Sequence, residues 1–138
     1  MRGMSVWPAL CAAGLFSVAV MAGEKAPDSY VKVMKDISEA TKSLKTNVEG
    51  KNYDGVGKDA VALKGLFEAN HKFWDARKAQ DAVTAAGDGV KAAGDLATAA
   101  KAKNDAGVEA AAKALNATCK TCHDAHRERL PDGSSEIK

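Results

Sequence analysis

The sequence predicts an all-α protein, an antiparallel up-down four-helix bundle. Three observations predict it. Four segments repeat apolar residues at the three- and four-residue spacing of one helical face. The polar connections between them are short, which favours antiparallel neighbours. No segment gives a convincing strand pattern.

The first helix starts at Pro27-Asp28-Ser29, a helix-opening signal. Tyr30, Val33, Met34, Ile37, Thr41, Leu44 and Val48 then follow one face. Gly50 and the loop-like stretch 52–57 end it. The second helix is expected from about Lys58 to Trp74, with Val61, Leu63, Leu66, Phe67 and Trp74 as its larger apolar groups. The third is expected from about Arg77 to Lys103. It is rich in Ala and carries Val83, Val90 and Leu96 on one side. Gly87, Gly89 and Gly94 weaken it by roughly 1 kcal/mol each relative to Ala. The fourth is expected from Asp105, read as its N-cap, to Leu130, where Pro131 stops it. Val108, Ala111, Ala112, Leu115, Cys119 and Cys122 trace its inner face. A faint helix-loop-helix similarity relates the two halves.

The expected core is thin, because most inner positions are Ala. Ala contacts bury little area, at ~25 cal/mol per Å². A flat cofactor held between the helices would fill such a core.

Residues 119–123 read Cys-Lys-Thr-Cys-His. C-x-x-C-H is the attachment signature of c-type haem. Two thiols add across the two vinyl groups of the porphyrin. Residues three apart share a helix face, so both sulfurs of Cys119 and Cys122 reach one edge of the macrocycle. His123 then supplies an imidazole nitrogen to the iron. The expected cofactor is therefore one covalent haem c, with its iron, per chain. Three other readings fit less well. A redox dithiol needs a βαβ context. A zinc site needs four ligands, and Cys119, Cys122, His123 and His126 would crowd one and a half helical turns. A disulfide between Cys119 and Cys122 would close a small strained ring.

The N-terminus predicts export. Arg2 precedes an uncharged apolar run through Met21, and Val20-Met21-Ala22 suits cleavage after Ala22. The run is short against the ~20 residues of a membrane span and contains Pro8 and Gly14. Residues 1–22 are read as a removed signal peptide that carries Cys11 away, and residues 23–138 as one small domain. The expected location is the periplasm, since oxidising compartments tolerate paired cysteines.

The chain has 20 Lys and Arg against 18 Asp and Glu. Loss of Arg2 brings it still closer to neutral, and the charges are interleaved. No strong field is available for nucleic acid or an anionic membrane. No paired carboxylates, nucleophile–base pair or phosphate loop points to an enzyme.

An Ala-rich bundle with this motif on its last helix resembles the cytochrome c′ family, the class II cytochromes c. The resemblance covers nearly all of residues 27–130 and is strongest at 119–127 and at Val33-Met34-Lys35-Asp36. It implies that a basic residue four places after the haem histidine, here Arg127, lies near a haem propionate. It also implies that the sixth iron position is reached from the first helix. Low-spin members place Met there, and Met34 matches; it is the one methionine left after residue 22. The reading without the resemblance is that Met34 fills the core. His71 and His126 are expected away from the iron's sixth position. Tyr30 stands where an arginine often precedes the distal residue by one turn, and the tail 130–138 runs past the usual end of the family.

The implied function is one-electron transport by a monohaem cytochrome between redox partner proteins. The alternative is a five-coordinate haem that binds NO or CO as a sensor or scavenger. Many members dimerise through their first two helices, so a homodimer is an expectation of the resemblance alone.

Overall fold

The computed structural model describes residues 23–138. The signal-peptide reading and Cys11 fall outside the described residues. Four helices of similar length follow one another: α1 (Asp28–Glu49), α2 (Tyr53–Ala76), α3 (Gln80–Lys101) and α4 (Asp105–His126). Each helix packs along the next, whereas α1 and α4 barely touch. The bundle is thus all-α at its centre and open along one seam.

The three connections share one conformation. The residue after each helix is αR, the next has positive φ, and the third has φ between −83° and −92° with ψ between 82° and 97°, at 50–52, 77–79 and 102–104. Asn52 N–H donates to the Asn47 carbonyl and Lys51 N–H to that of Val48. The same pair recurs as Asn104 to Ala99 and Lys103 to Ala100, and as Ala79 to Trp74 and Lys78 to Asp75. This is the Schellman ending, which satisfies carbonyls that a helix end would orphan. The left-handed residue is a lysine each time, Lys51, Lys78 and Lys103, where glycine would be the unstrained choice.

In two of these turns the next residue also opens the following helix. The Asn52 side chain accepts from Gly55 N–H, and that of Asn104 from Gly107 N–H. The faint similarity between halves is therefore a repeated Lys-Asn-x-x-Gly turn. Its glycines are there for space. A Cβ on Gly55 would lie 2.4 Å from the Asn47 amide oxygen, and one on Gly107 2.9 Å from Asn104 Nδ2.

These caps correct three expected boundaries. α2 begins at Tyr53 and not near Lys58, because Asn52 caps a stretch whose composition reads as loop. α3 begins at Gln80, after a full three-residue turn. Asn104, not Asp105, caps α4. The Asp105 carboxylate instead receives Lys51 Nζ at 2.6 Å and the Tyr53 hydroxyl, tying the first turn to the start of α4.

α4 also ends earlier than expected. The backbone turns extended at Arg127, and three short strands, β1 (Glu24–Lys25), β2 (Arg127–Arg129) and β3 (Ser135–Ile137), form there. They make a small antiparallel sheet in which β3 is central. Ile137 pairs with both Glu24 and Arg127. Its side chain is buried against Tyr30, Trp74 and Ala82. The tail therefore closes one end of the bundle.

The core runs through all four helices. Leu63, Leu96, Leu115 and Val56 are its largest fully buried side chains, and α3 contributes mainly Ala. Gly89 is buried where α3 meets Phe67. A Cβ there would fall 2.3 Å from the Phe67 ring. What reads in sequence as a weak helix position is a close-packing position.

Candidate functional site

The open seam between α1 and α4 widens into a cleft of about 270 Å³. Met34 and Ile37 of α1 line one wall. Cys119, Cys122 and His123 of α4 line the other. Phe67 and Asn70 of α2, with Ala85 and Ala86 of α3, line it from the remaining two helices and are all buried. Exposed Ser38, Lys42 and Asn116 also border it.

Helix geometry explains the α4 wall. Cys119 and Cys122 are three apart and half-buried, and both are free thiols. Cys119 packs against the main core, and Cys122 against the cluster of Tyr30, Trp74, Ala82 and Ile137. Burial pushes both thiols above the usual thiol range. Cys122 reaches about 11, with the Asp81 carboxylate and then Cys119 adding to the effect of burial. A redox dithiol needs the opposite, a thiolate favoured near neutrality.

His123 is exposed on the lip of the cleft. Desolvation by the protein on the side facing the cleft, and then the charge of Arg127, lower its pKa. Both effects favour the neutral imidazole, the form that carries a lone pair for a metal.

Met34 is half-buried and packs against both core clusters, at the point where they meet. The spacing of α1 carries it there: Tyr30 and Ile37, one turn to either side, are buried. Tyr30 occupies the end of the bundle beside the cleft. Its ring stacks on Phe73 with centroids 3.9 Å apart, and its hydroxyl accepts the Trp74 indole N–H at 3.1 Å.

Arg127 is not among the cleft's lining residues. Its Nε donates to the Ser135 hydroxyl at 2.9 Å, within the terminal sheet. His126 points elsewhere as well. It lies over Trp74 with ring centroids 4.8 Å apart, and its Nε2 is 2.8 Å from Asp81. His71 packs at the α2–α3 contact, near Gly87.

Among the described residues no three His, Cys, Asp or Glu side chains converge as a protein-built metal site requires. A haem iron makes a smaller demand, because the porphyrin brings four nitrogens and the protein adds only axial ligands.

Sequence reasoning missed Asn70. It is 4% exposed, and its Oδ1 has no hydrogen-bond partner. A buried polar atom left unpaired costs stability, so this one fits a cleft that takes an occupant with a polar atom. The signal was present in the sequence. Asn70 lies three after Phe67 and four before Trp74, on the buried face of α2.

The residues present fit a haem group: two free thiols on one helix face, an imidazole beside them, a thioether on the facing helix, a floor of small and apolar side chains, and one unpaired amide. The chain matches no family model and no curated protein.

Proposed function

We propose that this protein is an exported monohaem cytochrome of the class II, cytochrome c′ type, acting as a one-electron carrier. One observation carries the reading. The Cys-Lys-Thr-Cys-His motif and Met34 line one cleft from two helices that barely touch.

The haem would supply the one-electron iron couple. The chain's own residues hold and shield it. Cys119 and Cys122 anchor the macrocycle edge. His123, kept neutral, offers the proximal nitrogen. Met34 offers a soft thioether, which raises a haem's reduction potential. Phe67, Ala85 and Ala86 exclude water, and a low-dielectric shell favours the less charged oxidation state. Export rests on residues 1–22 of the sequence. Among the described residues no helix is long and apolar enough to cross a membrane. The near-neutral surface points to redox proteins as partners, not to nucleic acid.

Optical spectra of the purified protein, oxidised and reduced, test this reading together with Met34→Ala. The expected wild type is low-spin and binds CO slowly, because the Fe–S bond must first break. Met34→Ala should be high-spin, bind CO rapidly and have a lower potential. A wild type that is already high-spin and binds CO at the variant's rate would make Met34 a core residue and the protein a gas binder.

A further inference from the structure

The floor of the cleft carries one feature that the ligand set does not use. Asn70 is buried to 4% exposure among Phe67, Ala85 and Ala86, and its Oδ1 has no partner. The other polar side chains around the cleft are not in this position. Thr41 donates to the Ile37 carbonyl and Thr118 to that of Leu115. Ser38 and Asn116 are exposed to solvent. A leucine has nearly the same shape as an asparagine and would fit an apolar floor without an unpaired dipole.

We propose that Asn70 is a binding residue of the cleft, whose Oδ1 accepts a hydrogen bond from a protonated propionic-acid group of the haem or from an N–H or O–H group of a small ligand held on the haem iron. The proposal rests on the haem reading above and goes beyond its ligand set. Both partners share one chemistry: a hydrogen-bonding atom brought into a mostly apolar pocket. There it meets an amide that is already desolvated and fixed. Little further ordering is needed, so the bond is stronger than one made at the surface. Such a residue discriminates. A ligand that donates a hydrogen bond is favoured over one of similar size with no donor.

The test uses the exported, haem-bearing chain with Asn70→Leu and Asn70→Ser. Each is made in the wild type, for the reduction potential, and in Met34→Ala, for the affinity for imidazole, whose free N–H donates, and for CO, which has no donor. If the amide bonds the haem, Asn70→Leu shifts the reduction potential. If it bonds an iron-held ligand, Asn70→Leu weakens imidazole binding about tenfold, the size of one lost hydrogen bond, and leaves CO binding unchanged. In either case Asn70→Ser, which keeps a hydrogen-bonding group, should fall between wild type and Leu. A volume effect would instead make Ser the more disturbed of the two. The proposal is overturned if the potential and the imidazole-to-CO ratio stay unchanged in Asn70→Leu, or if Ser exceeds Leu. A wild type without covalent haem overturns the proposed function itself. That result is distinct from unresponsive Asn70 variants in a haem-bearing chain.

Discussion

Trp74 donates its indole N–H to the hydroxyl of Tyr30 at 3.1 Å, joining α2 to α1 beside the cleft. The two rings meet edge to face, 5.8 Å apart. Burial, with the nearby Cys122 thiol second, pushes the Tyr30 hydroxyl up to about 12. The bond holds together the end of the bundle on which Met34, Cys122 and Ile137 converge.

Tyr30→Phe removes the acceptor and strands the Trp74 N–H. The expected loss is about 1–3 kcal/mol in chemical denaturation, the cost of one buried unpaired donor. Tyr30 also sets an alkaline limit. Its folded pKa is raised above the unfolded value near 10, so its contribution is whole below pH 10 and is lost as pH rises toward 12. The fall in stability between pH 10 and 12 should be shallower in Tyr30→Phe. An equally steep fall would show that other groups set the limit.

Two glycines of α3 should respond to alanine in opposite senses. A Cβ at Gly94 meets nothing within 4 Å, so Gly94→Ala should gain up to about 1 kcal/mol of helix propensity. A Cβ at Gly89 meets the Phe67 ring, so Gly89→Ala should lose about 1–3 kcal/mol through overpacking. Thermal midpoints of both variants decide it; equal gains would mean that Phe67 moves freely.

Asp105 ties the first turn to α4, and Lys51 and then Tyr53 hold its carboxyl below the usual range. A depressed folded pKa stabilises above the unfolded value near 4, and the effect disappears as pH falls below the folded one. Asp105→Asn should therefore be less stable than wild type at pH 6 and indistinguishable from it near pH 2. A constant difference across that range would assign the loss to packing and not to charge.

Lys103 sits at positive φ without an ion pair among the described residues. Lys103→Gly relieves a left-handed L-residue, offset in part by glycine's greater freedom in the unfolded chain. The expected gain is about 0.5–1 kcal/mol, read from the denaturation midpoint. Lys51→Gly should gain less, because it also forfeits the contact with Asp105.

Much of this arrangement was legible from residue spacing. Ile37, Leu44, Leu63, Phe67, Leu96 and Leu115 lie on the predicted faces and are buried as the helical period requires. Boundaries were less legible, because a cap depends on one side chain. Asn52 turns a loop-like stretch into the first turn of α2, and Asn104 displaces Asp105 as a cap. The terminal sheet could not be read at all. Its strands are two or three residues long, too short to show alternation, and they pair residues from opposite ends of the domain.

The site divides in the same way. The attachment motif is a local pattern, so Cys119, Cys122 and His123 were visible at once. That Met34 shares their cleft depends on how α1 leans from α4, which no window of sequence contains. Arg127 was named by the resemblance alone; α4 ends just before it, and its Nε donates to the Ser135 hydroxyl. Asn70 was passed over because a single polar residue on an apolar face resembles an ordinary interruption.

The central claim is that haem is covalently held by Cys119 and Cys122, and acid–organic extraction of the exported protein tests it most directly. The account predicts that the haem stays with the polypeptide, and that Cys119→Ala combined with Cys122→Ala releases it or prevents its attachment. Haem that leaves the wild-type chain freely, or an exported chain that never acquires haem, would contradict the account.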